Sequence, residues 1–208
     1  MRKLQERKNY KMNINDLSPS ELGKLFPIRL EQHNPNWEEE YMKEASKIFD
    51  ALGPVIFRIH HIGSTSVPGL LAKPTIDILV EVGKHCKAES IINAMKSIQY
   101  HHNQKTDLDN PSMMFMKGYT LSGYEGQAFH IHVRYPKDWD ELYFCEYLVN
   151  HPDACKEYEI LKKDLKDKFE FDREAYTFGK TEFVQKIVSK ARELYYPRFE
   201  ILKNPKNR

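Results

Sequence analysis

The sequence predicts an α+β fold, in which helices pack on a mixed β-sheet and the C-terminal part of the chain is helical. Two observations carry this prediction. β-rich segments dominate the middle of the chain, and helical periodicity dominates from about residue 138 onward. With 40% hydrophobic and 12% aromatic residues, the 208-residue chain also has enough apolar material to build a core.

Two helices are predicted before the sheet. The segment Ser18-Pro19-Ser20-Glu21 favours a short helix, because Ser can cap a helix and Pro is tolerated in its first turn. Residues 37–52 predict an amphipathic helix, since apolar residues recur there at steps of three and four. Gly53-Pro54 ends this helix.

Four strands and one further helix are predicted between residues 55 and 135. The strands are rich in β-branched and aromatic residues, and the helix places its apolar residues on one face. The strands cover residues 55–62, 75–82, 112–119 and 128–135, and the helix covers residues 88–100. The intervening residues 101–111 are polar and turn-like.

The chain becomes helical after Pro136. Helices are predicted over residues 138–149, from Pro152 onward, and over about residues 180–196. The predicted organisation is a polar N-terminal arm with a short helix over residues 1–27, a single domain over residues 28–198, and a basic tail over residues 199–208.

Composition and charge exclude several classes of protein. A net charge of +2 gives no strong sign of nucleic-acid binding, and no apolar run reaches the roughly 18 residues that a membrane span needs. The chain has an odd number of cysteines (Cys86, Cys145 and Cys155) and no Cys-x-x-Cys motif. Neither a disulfide framework nor a structural zinc site is therefore expected. The N-terminus has no apolar signal-peptide core, so we expect a cytoplasmic protein.

A Gly-Ser turn between the first two predicted strands is a candidate for ligand binding. Gly63 allows the backbone to approach a ligand closely. The hydroxyls of Ser64 and Thr65, together with the amides of the turn, suit phosphate oxygens. The alternative is a tight turn whose hydroxyls only satisfy the backbone.

Asp77 is the candidate metal ligand or general base. The second predicted strand alternates, so that Ile76 and Ile78 belong to its core face, whereas Asp77, Leu79 and Glu81 share the other face. A carboxylate within a β-rich segment needs water, a cation or a hydrogen-bond partner. The alternative is a sheet with one solvent-facing side.

Residues 130–134 place three ligand-capable side chains on one strand face. His130 and His132 can both reach one divalent metal or one phosphate, so both are candidates for catalysis and for metal ligation. The planar guanidinium of Arg134 suits phosphate oxygens. The alternative is a structural role for all three. The pair His60-His61 straddles two faces, so only one member can join the same site.

Lys180 is a weaker candidate for binding an anion, since it stands near the start of a predicted helix; the alternative is a solvent-exposed lysine in a loop. The sequence has no Walker A motif, so the Gly-Ser turn is not a P-loop. A Ser-His-Asp nucleophile at Ser64 is conceivable, but the segment is not the Gly-x-Ser-x-Gly elbow of hydrolases.

Three of these segments, in this order, resemble the GrpB family, a set of small bacterial proteins placed in the nucleotidyltransferase superfamily. The resemblance covers about residues 28–195. The matching segments are Ile62 to Gly69 with Lys73-Pro74 and Ile76 to Ile78, then His130 to Val133, and finally a helical signature within residues 147–180.

The resemblance implies a mixed sheet, a Gly-Ser turn that opens a phosphate-binding loop, and two acids, two residues apart on the next strand, that hold Mg²⁺. Asp77 matches the first acid. Lys73 and Lys180 lie in the matching segments, and we expect both to bind phosphate. The second acid falls on Leu79. Because one carboxylate is a poor two-metal site, we expect the His130/His132 pair to complete a site of different composition.

The leading function that this resemblance predicts is nucleotidyl transfer from a nucleoside triphosphate to an unidentified acceptor, with Mg²⁺ or Mn²⁺ as cofactor. One alternative, which Leu79 favours, is a protein of the same fold that binds a nucleotide- or CoA-like ligand without catalysis. Another is a metal-dependent phosphoester hydrolase built on the His pair. In each case the expected partner is a nucleotide or a phosphorylated small molecule, and no membrane partner is expected.

Overall fold

The computed structural model describes residues 14–103 and 112–200, which fold into a five-stranded sheet and seven α-helices. The strands are β1 (Ile56–Ile62), β2 (Thr75–Val82), β3 (His101–His102), β4 (Met113–Thr120) and β5 (Gly123–Arg134). The helices are α1 (Pro19–Leu25), α2 (Asn36–Leu52), α3 (Ala88–Ser97), α4 (Asp140–Asn150), α5 (Pro152–Phe169), α6 (Arg173–Phe178) and α7 (Thr181–Tyr195).

The sheet is mixed and has the strand order β1-β2-β5-β4-β3. β2 pairs in parallel with β5, and the other neighbours are antiparallel. The register sets Asp77 opposite His130 and Leu79 opposite His132. Since side chains of paired residues point to the same side of a sheet, the polar side chains of β2 and β5 share one face.

The opposite face of the sheet carries the main core, as the alternation of β2 predicts. Helices α2 and α3 cover this face with apolar side chains that include Trp37, Ile48 and Met95. The β2 side chains packed there are Ile76, Ile78, Val80 and Val82. Because α2 and α3 cover only this core face, the face that carries Asp77 is covered by other elements.

The C-terminal helices cover part of the face that carries Asp77. Leu142 of α4 packs against Ile62 and Leu79, and the buried residues of α4, α5 and α7 form a second core. Phe199, at the start of the predicted basic tail, stacks edge-on against Tyr143 with ring centroids 5.0 Å apart. These helices form one wall of a cavity above the sheet.

The N-terminal segment packs at the other end of the same face. Helix α1 begins with the predicted cap, because the Ser18 hydroxyl accepts a hydrogen bond from the Glu21 amide and the Glu21 carboxylate accepts one from the Ser18 amide. Ile14 and Phe26, on either side of α1, pack against Tyr119 of β4. The described part of the segment is thus attached to the sheet.

The α+β prediction is confirmed, with corrections to several boundaries. β5 begins at Gly123 rather than at residue 128, because a tight hairpin turn joins it directly to Thr120. His101–His102 form the short edge strand β3 instead of a turn, and α3 ends at Ser97 instead of at residue 100. The separate short helix α6 was not predicted.

Some predictions fall on residues outside the described ranges. These are the greater part of the polar arm (residues 1–13), most of the turn-like segment (residues 104–111) and the basic tail from residue 201. Within residues 14–103 and 112–200, no helix is both long and apolar enough to cross a membrane.

Candidate functional site

A cavity of about 340 Å³ opens between the polar face of the sheet, the Gly-Ser turn and the C-terminal helices. Its volume is within the range of small-molecule sites. The predicted site residues on its walls are Gly63, Ser64, Thr65, Lys73, Asp77, His130, His132 and Lys180. The structure thus brings together residues that lie more than one hundred positions apart in the chain.

Arg134 is the predicted site residue that the structure leaves outside this cavity. It lies four residues beyond His130 on β5, which is about 13 Å along a strand. Its guanidinium forms an ion pair with Glu141 at 2.7 Å and stacks on Trp139 at 4.5 Å from the ring centroid. Sharing a strand face was therefore not enough to place Arg134 in the site.

Asp77 is held by two imidazoles. Its Oδ1 lies 3.3 Å from His130 Nδ1 and 3.3 Å from His132 Nε2. Burial would raise the pKa of Asp77, but the hydrogen bonds from His130 and His132 bring it well below its usual range, so the carboxylate is ionised at neutral pH. An ionised carboxylate only accepts hydrogen bonds, so both imidazoles donate an N–H to it.

Tyr119 contacts the second ring nitrogen of His130. The Tyr119 hydroxyl lies 2.7 Å from His130 Nε2. Burial raises the pKa of Tyr119, so its hydroxyl stays protonated. Burial also lowers the pKa of His130, although Asp77 opposes this, so the imidazole is neutral. The neutral ring therefore donates from Nδ1 to Asp77 and accepts at Nε2 from Tyr119.

These contacts bear on the predicted metal site. A histidine ligand needs a free lone pair, whereas the Nε2 lone pair of His130 already accepts the hydroxyl proton of Tyr119. Across residues 14–103 and 112–200, no three His, Cys, Asp or Glu side chains form a group that could hold a metal ion. A centre made of Asp77, His130 and His132 does not fit this geometry. Metal binding through Asp77 alone stays a prediction.

The Gly-Ser turn brings the backbone against Asp77. Gly63 has a φ of +74°, and a Cβ at this position would lie 2.8 Å from Asp77 Oδ2. Glycine is therefore favoured both by the backbone conformation and by the space available. The residue that follows, Ser64, begins a short 3-10 turn over Ser64–Ser66 and faces the cavity.

The three hydroxyls of this turn have different partners. Thr65 is buried, and its Oγ1 lies 3.0 Å from His61 Nε2. Ser66 Oγ donates to the carbonyl oxygen of Gly63 at 2.7 Å. For Ser66 the structural role considered for the turn therefore holds, whereas phosphate binding by Thr65, which also lines the cavity, stays a prediction. Ser64 keeps its hydroxyl at the cavity wall, where a ligand can reach it.

Four cationic side chains face the cavity: Lys73, Lys162, Arg173 and Lys180. In the described part of the chain, none of them forms an ion pair with a carboxylate. The amines of Lys73 and Lys180 lie over the ring of Tyr176, at 5.5 and 4.8 Å from its centroid. The cavity therefore has a clear excess of positive charge.

Burial and crowding shift the pKa values of these lysines. Burial first, and then repulsion from Lys180 and Arg173, lower the pKa of Lys73 to about 7. Burial likewise lowers the pKa of Lys162 to about 7 and lowers that of Lys180. A bound anion would raise the pKa of each lysine that it contacts directly, because opposite charge favours the ammonium form.

The position where a second acid would be expected belongs to the core. Leu79 is fully buried and packs against Ile62 and Leu142. Glu81 is also fully buried, but it forms a bidentate ion pair with Arg58. Neither residue lines the cavity. Among the described residues on the cavity wall, Asp77 is the one carboxylate.

Comparison with known proteins identifies the family. The family profile described as "GrpB protein" matches residues 27–190, which is most of the chain. The chain belongs to the GrpB family. A UPF0157 protein of Pseudomonas aeruginosa is 36% identical over 162 residues, which cover 76% of this chain and 65% of that protein. Glutamate-rich protein GrpB of Alkalihalophilus pseudofirmus is 34% identical over 166 residues, which cover 78% of this chain and 94% of that protein.

The GrpB fold is also shared with a solved structure. The conserved protein GrpB from Enterococcus faecalis superposes with a TM-score of 0.70 at 28% identity, covering 81% of this chain and 99% of that one. A dephospho-CoA kinase of Mycolicibacterium paratuberculosis is 24% identical over 172 residues, which cover 72% of this chain but only 42% of the kinase. GrpB-like sequence thus also occurs as part of longer proteins.

Two residues that line this cavity, Lys162 and Arg173, and Tyr119, which contacts His130 behind it, were not predicted as site residues. Lys162 follows Tyr158 by four positions, so its place on the buried face of α5 could have been read from the helical period. Arg173 lies on α6, the short helix that the sequence did not predict. Tyr119 reaches His130 only through the β4–β5 register, which no sequence pattern specified.

Proposed function

We propose that this GrpB-family protein binds a nucleoside triphosphate in the cavity and transfers its nucleotidyl group to an acceptor. The observation that supports the proposal is the charge of the cavity, where the cationic side chains of Lys73, Arg173 and Lys180 face one carboxylate. Burying unpaired charge is costly, so such a cluster favours a ligand with several negative charges. A chain of phosphates supplies those charges in a form that ammonium and guanidinium groups bind well.

In this proposal the walls of the cavity supply different groups. Lys73, Lys180 and Arg173 bind phosphate oxygens, and His130 and His132 hold the Asp77 carboxylate in position. A divalent cation that enters with the phosphates would take Asp77 as its protein ligand. Mg²⁺ commonly binds through one or two carboxylates and completes its shell with phosphates and water.

A second candidate function is binding of the same class of ligand without catalysis. The buried Leu79 favours it, because two-metal chemistry needs ligands for two cations. The similarity to a protein named dephospho-CoA kinase supports a CoA-like ligand. Incubation with a nucleoside triphosphate labelled at the α-phosphate separates the two functions. Appearance of the label on an acceptor, with release of unlabelled pyrophosphate, supports transfer, whereas tight binding with no turnover across a set of candidate acceptors supports the second function.

Phosphate affinity is expected to fall as the pH rises above about 7. The pKa of Lys73, which binds phosphate oxygens in this proposal, is about 7, and a bound polyanion raises it, so binding takes up a proton. Between about pH 7.5 and 9.5 the terminal phosphate of a nucleoside triphosphate is already ionised, since the second pKa of such a phosphate group is about 6. Calorimetry with a nucleoside triphosphate, without an acceptor, should show a dissociation constant that rises at least about tenfold over this interval. A flat profile would contradict phosphate binding by Lys73.

The role of a metal is tested by Asp77→Ala. If Asp77 ligates a divalent cation, we expect Mn²⁺ to bind at least about tenfold more weakly, a loss of about 1.4 kcal/mol. Without a metal the same change removes a negative charge from the cavity, so pyrophosphate is expected to bind as tightly or more tightly. Calorimetry with Mn²⁺ and with pyrophosphate measures both effects. Unchanged Mn²⁺ affinity in the folded variant would exclude Asp77 as the ligand.

A further inference from the structure

Ser64 and Lys162 form a hydroxyl–amine pair in the cavity wall. Lys162 Nζ lies 3.4 Å from Ser64 Oγ and also donates a hydrogen bond to the carbonyl oxygen of Leu71. Lys162 is only 2% exposed and forms no ion pair within the described ranges. Its contacts differ from those of Lys73 and Lys180, which lie over Tyr176.

The surroundings of Lys162 make a neutral amine accessible near neutral pH. Burial is the main cause that lowers its pKa and Lys180 across the cavity adds to it, while Glu159 and Cys155 on its own helix oppose the shift, and together these leave the pKa at about 7. A neutral amine has one lone pair and can accept a proton from Ser64. Buried lysines of this kind are known to act as general bases in proteins.

We propose that Ser64 is a nucleophile, that Lys162 is its general base, and that the protein forms a covalent phosphoester at Ser64 Oγ. The proposal rests on the proposed function only for the identity of the substrate, a nucleoside triphosphate. Serine–lysine pairs are an established variant of the activated serine nucleophile. Here the pair lies in the same cavity as the cations that would hold the phosphates.

Formation of the phosphoester balances without any further reactant, and its second step uses the acceptor hydroxyl of the proposed function. Ser64 Oγ attacks the α-phosphorus and forms an O–P bond, while the hydroxyl proton passes to Lys162 Nζ. The anhydride P–O bond breaks, and pyrophosphate leaves with the electron pair. An acceptor hydroxyl then attacks the same phosphorus and gives its proton to water, while Ser64 Oγ leaves and regains a proton from Lys162.

Two neighbours support this assignment and supply a control. Tyr158 lies one helical turn before Lys162, its ring centroid is 4.5 Å from Lys162 Nζ, and its hydroxyl interacts with Ser64. Ser66 belongs to the same turn as Ser64, but its hydroxyl donates to the carbonyl oxygen of Gly63. Ser66 is therefore a serine of the same segment whose hydroxyl contacts the Gly63 carbonyl oxygen and, at 3.5 Å, the Cys145 thiol instead of a lysine.

The test uses a fluorophosphonate probe, which labels an activated serine by forming an O–P bond and releasing fluoride. We expect peptide mass spectrometry to find the label on Ser64 in the wild-type protein and in Ser66→Ala. The labelling rate should rise with pH and level off above about pH 7 as Lys162 loses its proton. In Lys162→Met, which keeps the length of the side chain, the rate should fall by about 10²–10⁴-fold.

The outcomes separate this inference from the proposed function. Lys163→Met, which removes the exposed neighbouring lysine, is the control and should label at the wild-type rate. No label on Ser64 in the folded wild-type protein would overturn the inference, and so would equal labelling of Lys162→Met. An excess of nucleoside triphosphate should protect Ser64. Labelling that persists unchanged in that excess would contradict the proposed function while supporting the nucleophile.

Discussion

Pyrophosphate and nucleoside triphosphates are expected to bind at least about 100-fold more weakly to the double variant Lys73→Met/Lys180→Met. Both amines face the cavity and neither has a carboxylate partner among the described residues, so both are available to phosphate oxygens. A hydrogen bond to a charged group contributes about 1.5–3 kcal/mol, so two of them account for about 3 kcal/mol or more. Isothermal calorimetry near pH 7 measures the change directly.

The control for this double variant removes two exposed lysines, as Lys163→Met/Lys190→Met. Both side chains lie on the surface of their helices, so the net charge changes equally while the cavity is untouched. General attraction between the protein and a polyanion is screened by salt, whereas direct contacts are screened much less. Equal loss of affinity in the two double variants would mean that Lys73 and Lys180 are not the phosphate ligands.

The same variant is expected to be at least as stable as the wild-type protein. Burial and mutual repulsion lower the pKa of Lys73 to about 7, which shows that its charged form is disfavoured in the folded state. Methionine fills a similar volume without that cost. A thermal unfolding midpoint that is unchanged or higher, together with the loss of binding, would be typical of residues retained for function at the expense of stability.

The fold followed closely from the sequence because its signals are local. Alternation along β2 separated the core residues from the face of Asp77, and Ser18 marked the start of α1. The largest boundary error at a predicted strand was the start of β5. Gly123, Gly126 and Gln127 lack the apolar alternation of a strand, and only pairing with β4 makes that stretch extended.

The site followed from the sequence only in part, because its remaining groups depend on tertiary contacts. Asp77 and the two histidines could be grouped, since both strands show the period of two and both were expected in one sheet. Arg134 points to the same side of the sheet but lies outside the cavity. Whether a side chain reaches the cavity depends on its distance along the strand as well as on the face it shares. Arg173 enters the cavity from a helix whose packing nothing in the local sequence predicted.

Glu81 illustrates how a residue on the sheet face that carries Asp77 can have a purely structural role. It lies on the same strand face as Asp77, four positions along, and is fully buried. Its carboxylate accepts hydrogen bonds from the Arg58 guanidinium and, at 3.0 Å, from the Lys137 amide. His60 Nε2 lies 3.7 Å away. Both carboxylate oxygens of Glu81 already accept hydrogen bonds from these partners, so the carboxylate is not available to a ligand.

Glu81→Ala is therefore expected to lower the free energy of unfolding by about 3–5 kcal/mol, because it leaves the partly buried Arg58 without its counter-charge. Chemical denaturation at neutral pH measures the loss. The control is Glu125→Ala, which removes an exposed glutamate from β5 and should cost less than about 0.5 kcal/mol. A loss as small as that of the control would contradict the structural role of the Glu81–Arg58 pair.

The pH dependence of stability gives this prediction a second readout. Burial would raise the pKa of Glu81, but His60, Arg58 and the Lys137 amide lower it further than burial raises it, so the folded state holds the carboxylate below its ordinary pKa. The stability that Glu81 contributes is then complete above the ordinary glutamate pKa of about 4.3 and is lost as the pH falls through the lower, folded-state value. The difference in unfolding free energy between wild type and Glu81→Ala should accordingly be largest near neutral pH and shrink in acid. A difference that stays constant between about pH 7 and 3 would mean that lost packing, rather than the buried charge, accounts for the effect.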